Sequence, residues 1–304
     1  MTPTGVAGAS GVSASSDDVG PWTVLRIIRW SGAWLGERGV ETGRLDAEHL
    51  LAHALETTRL QLYLQYDRPL DPGELGAFRP LLRRRGAREP LQYIVGRAAF
   101  RHLELAVDPR VLIPRPETEE LVQIVLDWAG EREGLTALDV GTGSGCIGLS
   151  LLTEGPFERV VATDLSAPAL DVARLNAEAL AVGSNWECRE GSGFAPVLAG
   201  ERFDVVVSNP PYVAALDSDD LQPEVRDWEP AEALFAGDDG LTVLDGLVMS
   251  SADVLQPEGL IALEVGLGQA EVVQRRIEGQ GGFERARVHR DLTGRPRFVT
   301  AHRA

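Results

Sequence analysis

A chain of 304 residues with 44% hydrophobic and 25% charged residues suits a soluble enzyme of two domains, or of one domain with an appendage. No apolar run approaches the roughly 18 residues that span a bilayer. Cys146 and Cys188 alone suit a reducing cytosol better than a disulfide framework. The net charge of −17 is unevenly spread: up to residue 95 eleven arginines meet eleven carboxylates, and beyond it eighteen meet thirty-five. The second part therefore carries the whole excess and is expected to repel a phosphate backbone. Five scattered histidines show no metal-binding spacing, so no metal site is expected.

In chain order, residues 1–20 are small, polar and rich in Gly and Ser; they lack the features of a secretory signal and read as a disordered tail. Residues 21–90 read as a small helical domain. Val24, Ile27, Ile28, Trp34 and Leu35 recur at helical spacing in a segment ending at Gly39, and Leu45, Leu50, Leu51, Leu55 and Leu60 repeat the pattern. Asp71 and Pro72 then form a helix start, with Asp71 as cap and Pro72 in the first position. Arg79, Arg83, Arg84, Arg85 and Arg88 cluster in that segment, and the pattern fits a solvated helix face or a partner-binding patch.

Residues 91–113 switch to short β-type runs, where Phe100, Leu103, Leu105 and Val107 suggest a hairpin linking two domains. A helix follows, opened by Pro116, with Glu117, Glu119 and Glu120 at its positive dipole end. From residue 135 strand and helix alternate. The expected strands are Leu135–Val140, Arg159–Thr163, Asn185–Arg189, Phe203–Val207, Leu260–Val265, Phe283–His289 and Arg297–Ala301, with helices such as Ala167–Leu180 and Leu241–Leu255 between them. That alternation defines an open α/β sheet with helices on both faces.

The first of these strands runs into Gly141-Thr-Gly-Ser-Gly145, a glycine-rich turn before a helix. Gly141, Gly143 and Gly145 let a ligand lie against bare backbone, and Asp164, at the end of the next strand, is placed for ribose hydroxyls. The dinucleotide pattern fits only from Gly143 through Gly145 to Gly148, two residues late for a pyrophosphate loop. Asp139 also stands near the strand tip, where a carboxylate suits a cationic amino group or sulfonium. Both details favour S-adenosylmethionine over NAD, which stays open on this turn alone.

The fourth strand ends in Ser208-Asn-Pro-Pro-Tyr-Val213. Two prolines stop a strand. They also stiffen a claw in which the Asn209 side-chain oxygen and the Pro210 carbonyl accept both N–H bonds of one NH2 group, while Tyr212 stacks on a flat conjugated group. An amide or aryl nitrogen is a poor nucleophile, and such a claw aims it at a methyl carbon. If the first and fourth strands are neighbours, the glycine turn and the claw share one cleft.

Residues 91–116 with LQYIVGRAAF and VLIPRPETEELV, followed by LDVGTGSGCIGLSL, VSNPPYV, EPAEALFAGDDGL, LEVGLGQ and RDLTGRPRFV, resemble the bacterial release factor glutamine methyltransferase family (HemK/PrmC) from about residue 22 to 302. The resemblance implies a class I Rossmann-like methyltransferase sheet with an antiparallel last strand over residues 114–304, a β-hairpin linker over 91–113, and a helical substrate-binding domain over 21–90. It implies methylation of the side-chain nitrogen of the glutamine in a Gly-Gly-Gln loop of class 1 peptide chain release factors; the enzyme is expected to be cytoplasmic and monomeric. Carried over by position, Gly141, Thr142, Gly143, Ser144, Gly145, Asp164, Ser192, Gly193 and Asn209 bind S-adenosylmethionine. Asn209, Pro210, Pro211 and Tyr212 bind the glutamine amide, with Asn209, Pro210 and Tyr212 catalytic. Ser192 stands where the family commonly has an acidic residue, and His102 where it commonly has a glycine. Glu264 is expected to line the cleft or pair with an arginine, and Arg115 and Glu117 to shape the cofactor pocket. Nucleic-acid adenine methylation or methylation of a ribosomal protein glutamine would use the same claw. An NAD-dependent dehydrogenase or a non-catalytic binding module would not.

Overall fold

The computed structural model describes residues 20–304, so the expected tail lies outside the described residues except for Gly20. The described residues divide into two compact units, one up to residue 87 and one from residue 88.

The first unit holds helices α1 (Val24–Gly36), α2 (Gly43–Ala54), α3 (Arg59–Leu64) and α4 (Pro72–Gly86). Thr23 caps α1, and Val24, Ile27, Ile28, Ser31 and Leu35 form its buried stripe. At the α1–α2 contact a Cβ on Gly43 would stand 2.7 Å from the Gly32 carbonyl, so the glycine permits the approach. The leucine pattern of residues 45–60, read as one helix, is two. Thr58 and Gln61 form a capping box that starts α3 afresh, and Leu60 is exposed. Asp71 and Glu74 form a second capping box at α4 with Pro72 at its first turn. The arginine cluster is not a single face: Arg85 is buried against Asp46 at 2.7 Å, while Arg79, Arg83 and Arg84 are exposed.

The second unit begins with a short helix α5 (Leu91–Val95), where β-type backbone was expected, ended by Gly96 in the left-handed region (φ 75°). The hairpin follows as β1 (Arg97–Phe100) and β2 (Leu103–Ala106), and His102 stands exposed at its turn. Helix α6 (Pro116–Ala129) leads into the sheet. Its strands are β3 (Leu135–Val140), β4 (Phe157–Asp164), β5 (Trp186–Glu190), β6 (Phe203–Ser208), β7 (Leu255–Glu264), β8 (Phe283–Arg290) and β9 (Pro296–Arg303). Between them run α7 (Cys146–Glu154), α8 (Ala167–Ala179), a single turn α9 (Pro223–Arg226), α10 (Thr242–Ser251) and α11 (Ala270–Gln280). The order across the sheet is β5-β4-β3-β6-β7-β9-β8, and β9 alone runs antiparallel to both its neighbours. β7 starts five residues earlier than expected, and α10 ends correspondingly sooner.

The central strands are buried on both faces, so they read as near-continuous apolar runs. One core packs α6 and α7 on the sheet through Leu121, Val125, Ile147 and Leu149, and the other packs α10 and α11 through Leu244, Leu247, Val273 and Ile277. β3 pairs with both β4 and β6, Ala137 lying between Val160 and Val205. The switch in strand order thus falls at β3, where the open α/β architecture places its ligand crevice. Among the described residues no helix is long and apolar enough to cross a membrane.

Candidate active site

The glycine turn leaves β3 with Gly141, Gly143 and Gly145 at φ 72°, 56° and 86°, a conformation that L side chains rarely adopt. It is sewn to β4: the Gly141 and Thr142 N–H groups donate to the Thr163 carbonyl at 2.8 and 3.0 Å. Gly143 N–H donates to Asp164 Oδ2 at 2.9 Å, and Ser166 N–H donates to Asp164 Oδ1 at 2.9 Å. A Cβ on Gly141, Gly143 or Gly193 would meet nothing within 4 Å, so these backbones face open space. Gly145 differs, because a Cβ there would stand 2.9 Å from Leu149; it serves the entry to α7. Gly148 lets α7 close on β4, since a Cβ there would lie 2.8 Å from the Trp186 ring and 2.9 Å from Val160.

The open side of this turn borders a cleft of about 370 Å³. Of the expected site residues, Gly141, Thr142, Gly143, Ser144, Asp164, Ser192, Gly193, Asn209, Pro210 and Pro211 line it, together with Arg115, Thr118, Glu232 and Phe235. Gly145 and Tyr212 do not. Asp139 is fully buried beneath the turn instead of facing a ligand. Its Oδ2 accepts the Thr142 hydroxyl at 2.7 Å and the Gly148 N–H at 3.0 Å, and burial pushes its pKa up to about 6. Burial likewise raises the pKa of Asp164, against the backbone N–H groups that face it. Cys146 borders the cleft as an inert thiol, pushed up to about 12 by burial.

The Asn-Pro-Pro-Tyr loop is anchored from behind. Ser208 Oγ donates to the Val140 carbonyl at 2.6 Å, tying the end of β6 to β3. Asn209 Nδ2 donates to Thr118 Oγ1 at 3.0 Å, and Thr118 Oγ1 donates to Glu264 Oε2 at 2.7 Å. Glu264 is fully buried at the end of β7; burial raises its pKa, against the Thr118 hydroxyl and the Arg297 guanidinium. Arg297 of β9 donates to Glu264 Oε1 at 3.0 Å and to the Tyr212 hydroxyl at 2.9 Å, and its guanidinium lies 5.1 Å from the Tyr212 ring centre. Anchored by its hydroxyl, Tyr212 packs toward Gly266 rather than into the cleft wall. Gln269 Nε2 donates to the Tyr212 carbonyl at 3.0 Å. Gly240 must be glycine beside it, because a Cβ there would stand 2.3 Å from that carbonyl.

The segment after the claw closes the cleft on its outer side. Val213 and Ala215 N–H groups donate to Leu234 and Gly237 carbonyls at 2.9 and 3.0 Å. Arg115, at the start of α6, grips the buried Glu229 at 2.7 and 2.8 Å. Glu117 does not line the cleft, so the shaping expected of it falls to Arg115 and Thr118. Thr118 and Arg297 escaped the sequence reading because their partners lie 91 and 33 or more residues away. The only signal for either was its place in the RPETEE and TGRPRF stretches.

Comparison with known proteins agrees with this geometry. The sequence model of the PrmC N-terminal domain matches residues 26–96, and that of the methyltransferase small domain matches residues 120–224. The release factor glutamine methyltransferase of Geobacter sulfurreducens is 44% identical over 252 residues, covering 83% of this chain and 87% of that protein. Its counterpart from Rhodopirellula baltica is 36% identical over 297 residues, covering 96% of this chain and 100% of that protein. Among solved structures, the hMettl16 catalytic domain in complex with a MAT2A 3′UTR hairpin superposes with a TM-score of 0.54 at 16% identity, over 66% of this chain and 74% of that one, a likeness of fold alone. Fold and cleft together define an enzyme of the Rossmann-like methyltransferase class. Within it, the chain belongs to the release factor glutamine methyltransferase family.

Proposed function

We propose that the enzyme transfers a methyl group from S-adenosylmethionine to the side-chain amide nitrogen of the glutamine in the Gly-Gly-Gln loop of class 1 peptide chain release factors, acting as a cytoplasmic monomer. The observation that carries this reading is the shared cleft: the open glycine backbone and the Asn209–Pro211 loop line the same cavity.

The residues present fit the cofactor. Bare backbone at Gly141, Gly143 and Gly193 offers a cradle that any Cβ would narrow. Asp164 keeps lone pairs beyond its two backbone bonds for ribose hydroxyls. Ser192, exposed and lining the cleft, supplies a hydroxyl there. When bound, S-adenosylmethionine supplies a methyl group made electrophilic by its sulfonium.

The chain's own work is orientation. Asn209 Oδ1 and the Pro210 carbonyl accept the two N–H bonds of the glutamine amide, and the Pro pair keeps both acceptors in place. The amide nitrogen becomes acidic as it takes the methyl and gives up its proton to solvent, so no strong base is required. The loop offers none, for burial raises the Tyr212 pKa further. The helical unit is proposed to contribute to release factor binding.

A labelled-methyl transfer assay with a release factor, its Gln→Ala variant and DNA tests the reading. Label is expected on the wild-type factor alone. Equal labelling of the Gln→Ala variant defeats it, and label on DNA would transfer the claw to adenine.

A further inference from the structure

The two ends of an asparagine amide are alike in shape, and only their neighbours decide which end faces a ligand. Building on the reading of Asn209 as an acceptor for the glutamine amide, we propose that Thr118 and Glu264 are positioning residues that hold the Asn209 amide with its oxygen toward the substrate.

Proton counting along the buried chain fixes the direction. Glu264 lies wholly out of solvent, and its Oε1 accepts an N–H from Arg297 at 3.0 Å. A carboxylate paired with a guanidinium has no proton to give. The one hydroxyl proton of Thr118 therefore goes to Glu264 Oε2, 2.7 Å away. Thr118 Oγ1 is left with lone pairs alone for Asn209, so the Asn209 atom that meets it at 3.0 Å must be Nδ2. Thr118 is itself only 2% exposed, so no bulk water competes for that contact. Oδ1 is then the polar end that Asn209 keeps for the cleft it lines. The reversed amide would turn N–H groups toward the N–H groups of the substrate, a contact that repels.

The same carboxylate serves the other end of the loop. Tyr212 OH lies 3.4 Å from Glu264 Oε1 and receives an N–H from Arg297 at 2.9 Å. One buried acid from β7 thus references both ends of the Asn-Pro-Pro-Tyr loop. Thr118 reaches it from the first turn of α6, its hydroxyl oxygen bonded to both Asn209 and Glu264.

Steady-state kinetics of the full chain with S-adenosylmethionine and a release factor test this, with S-adenosylhomocysteine affinity as a control for the cofactor cleft. Misplacing a reacting group can cost about 100-fold, and Thr118→Val is expected to lower kcat on that order while cofactor affinity stays within about twofold. Thr118→Ser restores the hydroxyl and is expected to return kcat to within about threefold of wild type. Glu264→Gln can donate to Thr118 and free its proton toward Asn209, so kcat should fall at least about tenfold. Wild-type kcat in Thr118→Val overturns the inference, as does an equal fall in Thr118→Ser. If Thr118→Val does not fold, wild-type kcat in Glu264→Gln overturns it. A wild-type enzyme that labels no release factor defeats the functional reading and this inference with it, an outcome distinct from any of these.

Discussion

Asp139 carries a cost that its neighbours only partly offset. It is fully buried, and although Oδ2 is bonded to Thr142 and Gly148, Oδ1 has no hydrogen-bond partner among the described residues. Desolvation wins over the two donors and pushes its pKa up from 3.8 to about 6. A carboxyl whose pKa is higher folded than unfolded keeps its proton longer in the native chain. Between those two values the native state binds more protons, so stability falls as pH rises through the window, and the loss is complete above it. The size is on the order of 3 kcal/mol, at 1.36 kcal/mol per pK unit. Asp139→Asn cannot titrate there. Denaturant titrations of both proteins from about pH 4 to about pH 7 should show wild type losing ground to the variant as pH rises. A difference that stays flat over that range would mean Asp139 is solvated or paired in solution. The sequence placed this carboxylate near the strand tip, as it is. Which way it turns was hidden, because the direction depends on α7 closing beneath it at Gly148.

Helix α6 shows what an element contributes beyond its own backbone. Its acidic first turn reads as complementing the helix dipole, but three residues at this end tie the helix to other elements. Thr118 reaches Glu264 of β7, Glu119 accepts from the Arg101 N–H of the hairpin at 2.9 Å, and Glu120 accepts from Leu292 N–H in the β8–β9 turn at 3.1 Å. Just before it, Arg115 holds Glu229, whose side chain is only 1% exposed. Burial raises the Glu229 pKa while Arg115 opposes the shift. Removing one partner of such a pair strands a buried carboxyl and costs about 3 kcal/mol, so Arg115→Ala should lower the chemical-denaturation midpoint clearly, and adding Glu229→Gln should recover part of the loss. A double variant no more stable than Arg115→Ala would show that the pair is not the cause. The alternation of strand and helix, the cap at Asp71 and the Asn-Pro-Pro-Tyr stretch after the fourth strand were legible because each is written in contiguous residues. The break between α2 and α3 and the helix at Leu91–Val95 were not, since a local capping box and a glycine stop override an apolar pattern that fits either state. The anchors of the claw were illegible for a different reason: hydrogen bonds between α6, β7 and β9 leave no periodic trace.

At the scale of the molecule the charge matters more than any pair. The net charge of −17 falls entirely beyond residue 95. Part of it stands exposed at Asp217, Asp219, Asp220, Asp238 and Asp239, on two segments joined by the Ala215–Gly237 hydrogen bond next to the cleft-lining Phe235. A release factor, which works against ribosomal RNA, is expected to present basic surface to it. An acidic enzyme can use that surface to steer the encounter, raising the association rate well above the value for neutral partners. Exposed charges more than about 8 Å apart are largely screened at physiological ionic strength, so the benefit should fade as salt is added. Stopped-flow association of enzyme and release factor is therefore expected to slow by about tenfold or more between low and high salt. Asparagine at Asp219, Asp220, Asp238 and Asp239 should flatten that dependence. The dissociation rate, set by close contacts, should change far less than the association rate. Association that is equally fast at all salt concentrations would show that the acidic excess does not guide the partner, and its role would then lie in keeping this chain off nucleic acid.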